Sequence, residues 1–194
     1  REDARQVYAD VALLFTLVGS VMMLVILAYM DIIQYVLGKN FREGLAVVPL
    51  LLLSYLLLGI YYNFSAWYKL ADKTRWGAWI AIGGAIITIA GNFFLLKKMG
   101  VMGSAWAALA CYLFMCIASY LQGQKHYPIP YSLTRILGWI ASALIVYFLM
   151  EWVRRLMGEN MPMILLSNTV LLGCFLLLIY RLEKNVLGQL VRRK

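Results

Sequence analysis

Charged residues are scarce in this chain: they make up 14% of its 194 residues, against about 25% in an ordinary soluble domain. Hydrophobic residues make up 63%, against about 45–50% in such a domain. A soluble fold of this size needs a polar surface, and 18 basic and 9 acidic side chains cannot cover it. The composition therefore argues against a soluble domain and predicts a membrane protein.

Residue types that carry catalysis or hold metal ions are also few. His126 is the single histidine, in a predicted loop, and the three cysteines lie inside apolar runs without metal-ligand spacing. The sequence has no phosphate-binding loop, dinucleotide fingerprint, nucleophile elbow or zinc motif. We therefore expect no catalytic residue, no metal site, no cofactor and no disulfide framework, and we predict that the protein is not an enzyme.

The chain does contain six long runs with no charged residue. An α-helix needs about 20 apolar residues to cross a hydrocarbon core of about 30 Å. Five runs have 20 to 26 residues, and the fifth run along the chain has 15, enough if the flanking charges lie at the interfaces. The fold predicted is all-α and polytopic, with six transmembrane helices in an antiparallel bundle. The predicted spans are residues 9–35, 45–68, 76–96, 101–122, 134–153 and 161–180.

Basic residues divide unequally between the two predicted sides of the membrane. Lys and Arg favour cytoplasmic loops, and twelve of the 18 fall on the side that holds both ends of the chain. Both ends of the segment are therefore predicted to be cytoplasmic, with membrane lipids rather than nucleic acid as the partner of the positive charge. The six basic residues on the opposite side are Lys39, Arg42, Lys97, Lys98, Arg154 and Arg155.

The two ends of the chain carry separate expectations. The chain begins with Arg1 and shows no signal-peptide pattern, so it is expected to be a piece of a longer protein. Residues 181–194 form a basic tail with apolar residues at helical spacing. That tail is interpreted either as an amphipathic helix lying on an anionic leaflet or as a solvated cytoplasmic end.

Polar residues of the second and third spans are the candidates for a substrate path, most of them toward the cytoplasmic end of the second span and Asn92 toward the outer end of the third. The candidates are Tyr61, Tyr62, Asn63, Ser65, Asn92 and Lys69. Asn63 and Ser65 are expected either to bond another helix or to face a watery cavity, and the same alternatives hold for Asn92. Trp67 and Tyr68, which follow, are typical of an aromatic belt at the membrane interface.

Three further features bear on helix packing and ion coupling. Asp31 follows the first run and is either a functional charge at membrane depth or a solvated residue at the outer interface. Pro49 is predicted to lie beyond the first turn of the second helix, where it could kink that helix. Small residues at spacings of four in the third and fourth spans predict a tightly packed hairpin.

Several motifs taken together resemble one transporter family. The stretch VVPLLLLSYLLLGIYYNFSAWYK follows the loop GKNFREG, the hairpin reads KMGVMGSAWA, and GQKHYPIPY precedes the next helix. In this order and spacing they resemble the C-terminal part of Wzx-type polysaccharide biosynthesis exporters, the O-antigen and lipopolysaccharide flippases of the MOP (MATE-like) superfamily. The resemblance covers about residues 7–140, and the last two helices match by position and hydropathy only.

The resemblance implies a two-lobe transporter that works by alternating access. This chain would supply the C-terminal portion of that transporter. Its partner would be the missing N-terminal lobe of the same protein. The implied activity is the flipping of an undecaprenyl-diphosphate-linked oligosaccharide across the bacterial inner membrane. The spans hold no deep Lys or Arg, so cationic contacts with the diphosphate would come from the missing lobe or from rim residues such as Lys69.

Three other function classes stay open at this point. A cation-coupled multidrug or small-solute exporter of the same superfamily would use Asp31 as its ion-coupling residue. A membrane enzyme acting on lipid-linked glycan would need converging polar groups or a large catalytic loop. A non-transporting membrane scaffold would need neither.

Overall fold

The computed structural model describes residues 2–36, 44–158 and 160–192, and these residues contain helices and no strand. In chain order the α-helices are α1 (Glu2–Ala28), α2 (Met30–Val36), α3 (Val48–Phe64), α4 (Ala66–Leu70), α5 (Thr74–Gly91), α6 (Lys97–Met99), α7 (Val101–His126), α8 (Leu133–Met157) and α9 (Met161–Arg192). A π turn, Asn92–Leu96, joins α5 to α6.

Six helical stretches within the described residues are long and apolar enough to cross a membrane. They are Ala4–Ala28, Gly44–Leu70, Thr74–Met99, Val101–His126, Leu133–Met157 and Met161–Lys184. The expectation of an all-helical chain with six membrane-length helices is confirmed. Lys39 and Arg42 of the predicted outer loop lie outside the described residues, as do the side chains of the tail beyond residue 184.

The chain divides into two compact units. Unit 1 comprises Arg1–Phe15 and Gly38–Ser132, and unit 2 comprises Thr16–Leu37 and Leu133–Lys194. The long helix α1 runs without interruption through the boundary between Phe15 and Thr16, so its first half belongs to unit 1 and its second half to unit 2.

Unit 1 is built on α7, against which α3 and α5 both pack. The small residues make this approach close: a Cβ atom on Gly91 of α5 would lie 2.7 Å from the Cβ of Ala107 on α7. Likewise, a Cβ on Gly103 would lie 2.3 Å from the carbonyl oxygen of Leu95. The tightly packed hairpin expected from the small-residue spacing is present, because only glycine leaves room at these two contacts.

Helix α3 is not kinked at its proline. A short 3₁₀ segment covers residues 44–47 and α3 begins at Val48, so Pro49 lies in the first helical turn. There its missing N–H would have had no intrahelical partner in any case. The prediction that Pro49 lies beyond the first turn is therefore wrong, and the helix is interrupted instead at Ser65, between α3 and α4.

Candidate functional site

The candidate residues of the second span lie on different faces of the helix. Tyr61 and Ser65 are buried in unit 1, Asn63 is half-buried, and Tyr62 and Lys69 are exposed. The rings of Tyr61 and Tyr62 are neighbours, with centroids 5.6 Å apart. The structure therefore does not bring this set together on a single surface, because consecutive helical residues point about 100° apart.

Asn63 and Ser65 bond to their own helix. The Asn63 amide nitrogen donates to the carbonyl oxygen of Gly59 at 2.9 Å, and the Ser65 hydroxyl donates to that of Tyr62 at 2.7 Å. Short polar side chains compete in this way for backbone carbonyls three or four residues earlier. The expectation that both side chains must reach another helix or a watery cavity is therefore wrong for these two donors. Both hydrogen bonds lie close to the interruption of the helix at Ser65.

Three tyrosines of unit 1 form a surface that the sequence analysis did not single out. Tyr55 and Tyr62 are seven residues apart, two helical turns, and they are 59% and 63% exposed within the chain. The ring of Tyr112, from α7, lies 6.4 Å from that of Tyr55, centroid to centroid. We call these three residues the tyrosine face. The seven-residue spacing was readable in the sequence, but the contribution from α7 was not.

The tyrosine face lies inside a membrane-length helix, since Tyr55 is close to the middle of the Gly44–Leu70 stretch. Among the described residues, neither the Tyr55 nor the Tyr62 hydroxyl has a hydrogen-bond partner. A polar group at membrane depth needs such a partner, because hydrocarbon offers none. The face is thus suited to contact polar protein, water or a polar ligand rather than lipid chains.

An aromatic cluster lies in unit 1 where α1 begins and α7 ends. Its members are Ala9, Trp67 and Ile129, which are buried, with Tyr8, Tyr68, Trp76, Tyr127 and Tyr131 packed against them. Trp67 is 1% exposed and donates its indole N–H to the Ser119 hydroxyl at 3.3 Å. It is therefore a core residue, and the prediction of an interfacial belt position is wrong for Trp67.

His126 joins this cluster as the last residue of α7, not as a loop residue. Its ring stacks on that of Trp67 at 5.5 Å with an interplanar angle of 11°, and it lies 5.5 Å from the ring of Trp76. Gly123, one turn earlier, permits the stack: a Cβ there would come within 2.8 Å of the Trp67 ring. The histidine thus has a packing role.

The segment that follows α7 packs against the aromatic cluster and is held there by hydrogen bonds. The Gln124 amide donates to the carbonyl oxygen of Ile129 at 2.7 Å, and the Tyr131 hydroxyl donates to that of Asn63 at 3.1 Å. Burial raises the pKa of the Tyr131 phenol, and the nearby Tyr8 raises it further. The phenol consequently stays protonated and keeps donating to the end of α3.

Asn92 lies at the start of the π turn and bonds to α7. The Ser104 hydroxyl donates to the Asn92 side-chain oxygen at 2.5 Å. Of the two alternatives for Asn92, this contact is the bond to another helix. The extra residue of a π turn widens the helix locally, and such turns are frequent at functional positions. The hydrogen bond of Asn92 therefore connects the π turn to α7.

Asp31 belongs to unit 2, where it forms an ion pair with Arg154 of α8. The Arg154 guanidinium also lies 3.8 Å from the Glu151 carboxylate. The Asp31 carboxylate thus has a guanidinium partner at a partly exposed position, and both expectations for it, a functional charge and a solvated interfacial residue, stay predictions. The pairing partner is 123 residues away along the chain and could not be identified from local sequence.

Asn168 is a second polar residue of unit 2 that the sequence analysis missed. It is 2% exposed, and its amide nitrogen donates to the carbonyl oxygen of Ala28 at 3.0 Å. The backbone N–H of Ile32 bonds to Tyr29 instead, at 3.0 Å. Ala28 thus ends α1 with its carbonyl oxygen open to another donor, and Asn168 supplies one.

Glu183 is a third missed residue, assigned by sequence to the solvated or lipid-bound tail. It is 3% exposed, accepts a hydrogen bond from the Trp139 indole at 3.1 Å, and lies 3.6 Å from the Arg135 guanidinium. The helical backbone of α9 is interrupted at this residue. The one available signal was helical spacing, which places Glu183 on the same face as the buried Phe175 and Ile179.

No group of three or more His, Cys, Asp or Glu side chains that could hold a metal ion exists in the part of the chain that the structure describes. Comparison of the chain with known protein families, with curated proteins and with solved structures found no match. The functional argument therefore rests on the chain's own residues and on the motif resemblance described above.

Proposed function

We propose that this chain is part of a transporter that flips an undecaprenyl-diphosphate-linked oligosaccharide for lipopolysaccharide, O-antigen or other surface-polysaccharide synthesis. In this proposal it lies in the bacterial inner membrane with both ends of the segment in the cytoplasm, and it works with a missing N-terminal lobe by alternating access. Six membrane-length helices and the order of the motifs support the proposal.

The observation that carries the proposal is the tyrosine face. A flippase must offer the sugar headgroup a polar route while the lipid tail stays in hydrocarbon. Tyrosine rings pack against the apolar faces of sugars, and their hydroxyl groups bond sugar hydroxyls. Tyr55 and Tyr62 present such groups, exposed, within a membrane-length helical stretch.

The cellular test compares lipid-linked glycan with and without the full-length protein. Deletion is expected to leave lipid-linked repeat units in the cytoplasmic leaflet and to remove surface glycan. Normal surface glycan together with increased drug sensitivity would refute the flippase and support the multidrug exporter.

A variant test addresses the tyrosine face itself. Tyr62→Leu in the full-length protein is expected to reduce glycan export at unchanged membrane levels, because the substitution removes a hydroxyl from the path. Tyr180→Leu is the matched control, since Tyr180 is 58% exposed but belongs to unit 2. Equal export by the two variants would argue against the face as a substrate path.

The cation-coupled exporter has less support from Asp31. Its carboxylate is paired with the Arg154 guanidinium, which occupies the position that a coupling cation would need. Ion coupling at Asp31 would require this pair to open.

A further inference from the structure

The helical chain of unit 2 is broken between α1 and α2. The backbone N–H groups of Ile32 and Ile33 both donate to the carbonyl oxygen of Tyr29, at 3.0 Å. The carbonyl oxygen of Ala28 accepts instead from the side-chain amide of Asn168, on α9, at 3.0 Å. A side chain thus replaces a backbone donor at the break, so the chain can bend there without leaving a buried carbonyl oxygen unsatisfied.

The break is held in place by α9. Asn168 and Ala28 are both buried, so their hydrogen bond belongs to the core of unit 2. The hydroxyl groups of Thr169 and Tyr29 lie 3.1 Å apart, within hydrogen-bond distance. The two neighbouring residues of α9 therefore fix the point from which α2 extends.

An ion pair connects α2 to α8 beyond the break. Asp31, in the first turn of α2, pairs with the Nη2 atom of Arg154. The two side chains are 21% and 35% exposed, and Asp31 lies beyond the membrane-length stretch Ala4–Ala28, so water and salt can reach the pair. Ile32 and Ile33 are exposed and add little packing. The position of α2 against α8 therefore depends on the ion pair.

Arg154 has a second carboxylate within reach on its own helix. Its Nη1 atom lies 3.8 Å from Oε2 of Glu151, one turn earlier in α8. When the guanidinium leaves Asp31, Glu151 can take it over, so the cation keeps a partner. The released Asp31 carboxylate can be hydrated at its partly exposed position. Because two carboxylates compete for one guanidinium, opening the ion pair strands no buried charge.

We propose that α2 is a hinged segment of unit 2 with two arrangements. In the closed one, Asp31 pairs with Arg154 and holds α2 against α8. In the open one, Arg154 pairs with Glu151 and α2 moves about Tyr29, as hinges at the ends of helices do. The inference goes beyond the proposed function and uses none of its evidence, so either can fail without the other.

The test measures backbone hydrogen exchange in the full-length protein in nanodiscs, comparing residues 30–34 with residues 20–27 of α1. Arg154→Gln is expected to speed exchange in residues 30–34 by up to about fivefold, the factor that corresponds to a partly exposed ion pair. Residues 20–27 should not change. Arg135→Gln is the matched control, because it removes a paired guanidinium from the other end of α8; it should leave residues 30–34 unchanged.

Glu151→Gln distinguishes a hinged segment with two arrangements from a simple ion pair. Without the competing carboxylate, Arg154 is expected to stay on Asp31 longer, so exchange in residues 30–34 should slow by about twofold. A simple ion pair predicts no change or faster exchange in this variant. Unchanged exchange in Arg154→Gln, or exchange in Glu151→Gln that is not slower, would overturn the inference.

Ionic strength provides the same comparison without a substitution at Asp31 or Glu151. Salt at about 1 M reduces the Debye length to about 3 Å, so it should speed exchange of residues 30–34 in the unmodified protein and not in Arg154→Gln. If Arg154→Gln also speeds exchange in residues 20–27, unit 2 has lost its packing, and Arg154→Lys decides. That variant keeps the charge and should retain the response to salt; its loss would overturn the inference.

Discussion

Unit 1 and unit 2 use different interactions to hold their helices. In unit 1 the described contacts between helices are aromatic stacking, close approach at glycine, and hydrogen bonds such as Trp67 to Ser119. Unit 2 contains the ion pairs of the described residues, including those of Arg154 and Arg135. Ion pairs between helices are therefore found in unit 2, and the described helix contacts of unit 1 are aromatic, close-packed and hydrogen-bonded.

The paired guanidinium groups of unit 2 serve helix packing. A guanidinium already paired with a carboxylate, as Arg154 is, gains little from a second anion. The tyrosine face lies in unit 1.

The largest expected effect is in the aromatic cluster of unit 1. Trp67→Ala is expected to lower the free energy of unfolding by about 3–5 kcal/mol, because it empties the space of a buried aromatic side chain. Trp79→Ala is the control, since Trp79 is 68% exposed. Unfolding of the solubilised protein by denaturant measures both, and similar losses would show that burial of Trp67 does not support unit 1.

A smaller loss of folding free energy is expected when the hydrogen bond from Asn168 to Ala28 in unit 2 is removed. Asn168→Leu removes the donor to Ala28 and leaves its carbonyl oxygen unsatisfied, which costs about 1–3 kcal/mol. Hydrogen exchange of the backbone around Tyr29 is expected to speed up in this variant. Asn160→Leu, at an exposed position before α9, should leave exchange there unchanged; matching acceleration in both variants would contradict the role given to Asn168.

A pair of glycine substitutions has effects of opposite sign in the two units, and its second member gives the smallest effect. Gly91→Ala in unit 1 is expected to destabilise by about 1–3 kcal/mol, because the new methyl group overpacks against Ala107. Gly138→Ala in α8 meets no atom within 4 Å and should stabilise the helix by about 0.5–1 kcal/mol. Denaturation curves of the two variants measure the difference, and a loss at both positions would remove the contrast in packing.

The candidate site was only partly predictable from sequence. Residue type and position identified Asn63, Ser65 and Asn92 as polar groups needing partners, but not which partners they have. Asn63 and Ser65 bond within their own helix, whereas Asn92 bonds across to Ser104. Local sequence does not distinguish these outcomes, because either kind of acceptor satisfies a polar group in a helix.

The sequence by itself determined that this chain is helical and has six membrane-length stretches. Length and apolar composition suffice for that result, because hydrocarbon requires every backbone polar group to be satisfied within the helix. Only the tertiary structure decided that Asp31 meets Arg154, that Asn168 meets Ala28, and that Glu183 is buried. These pairings depend on which helices pack together, and a periodic apolar pattern shows which residues share a face but not what that face contacts.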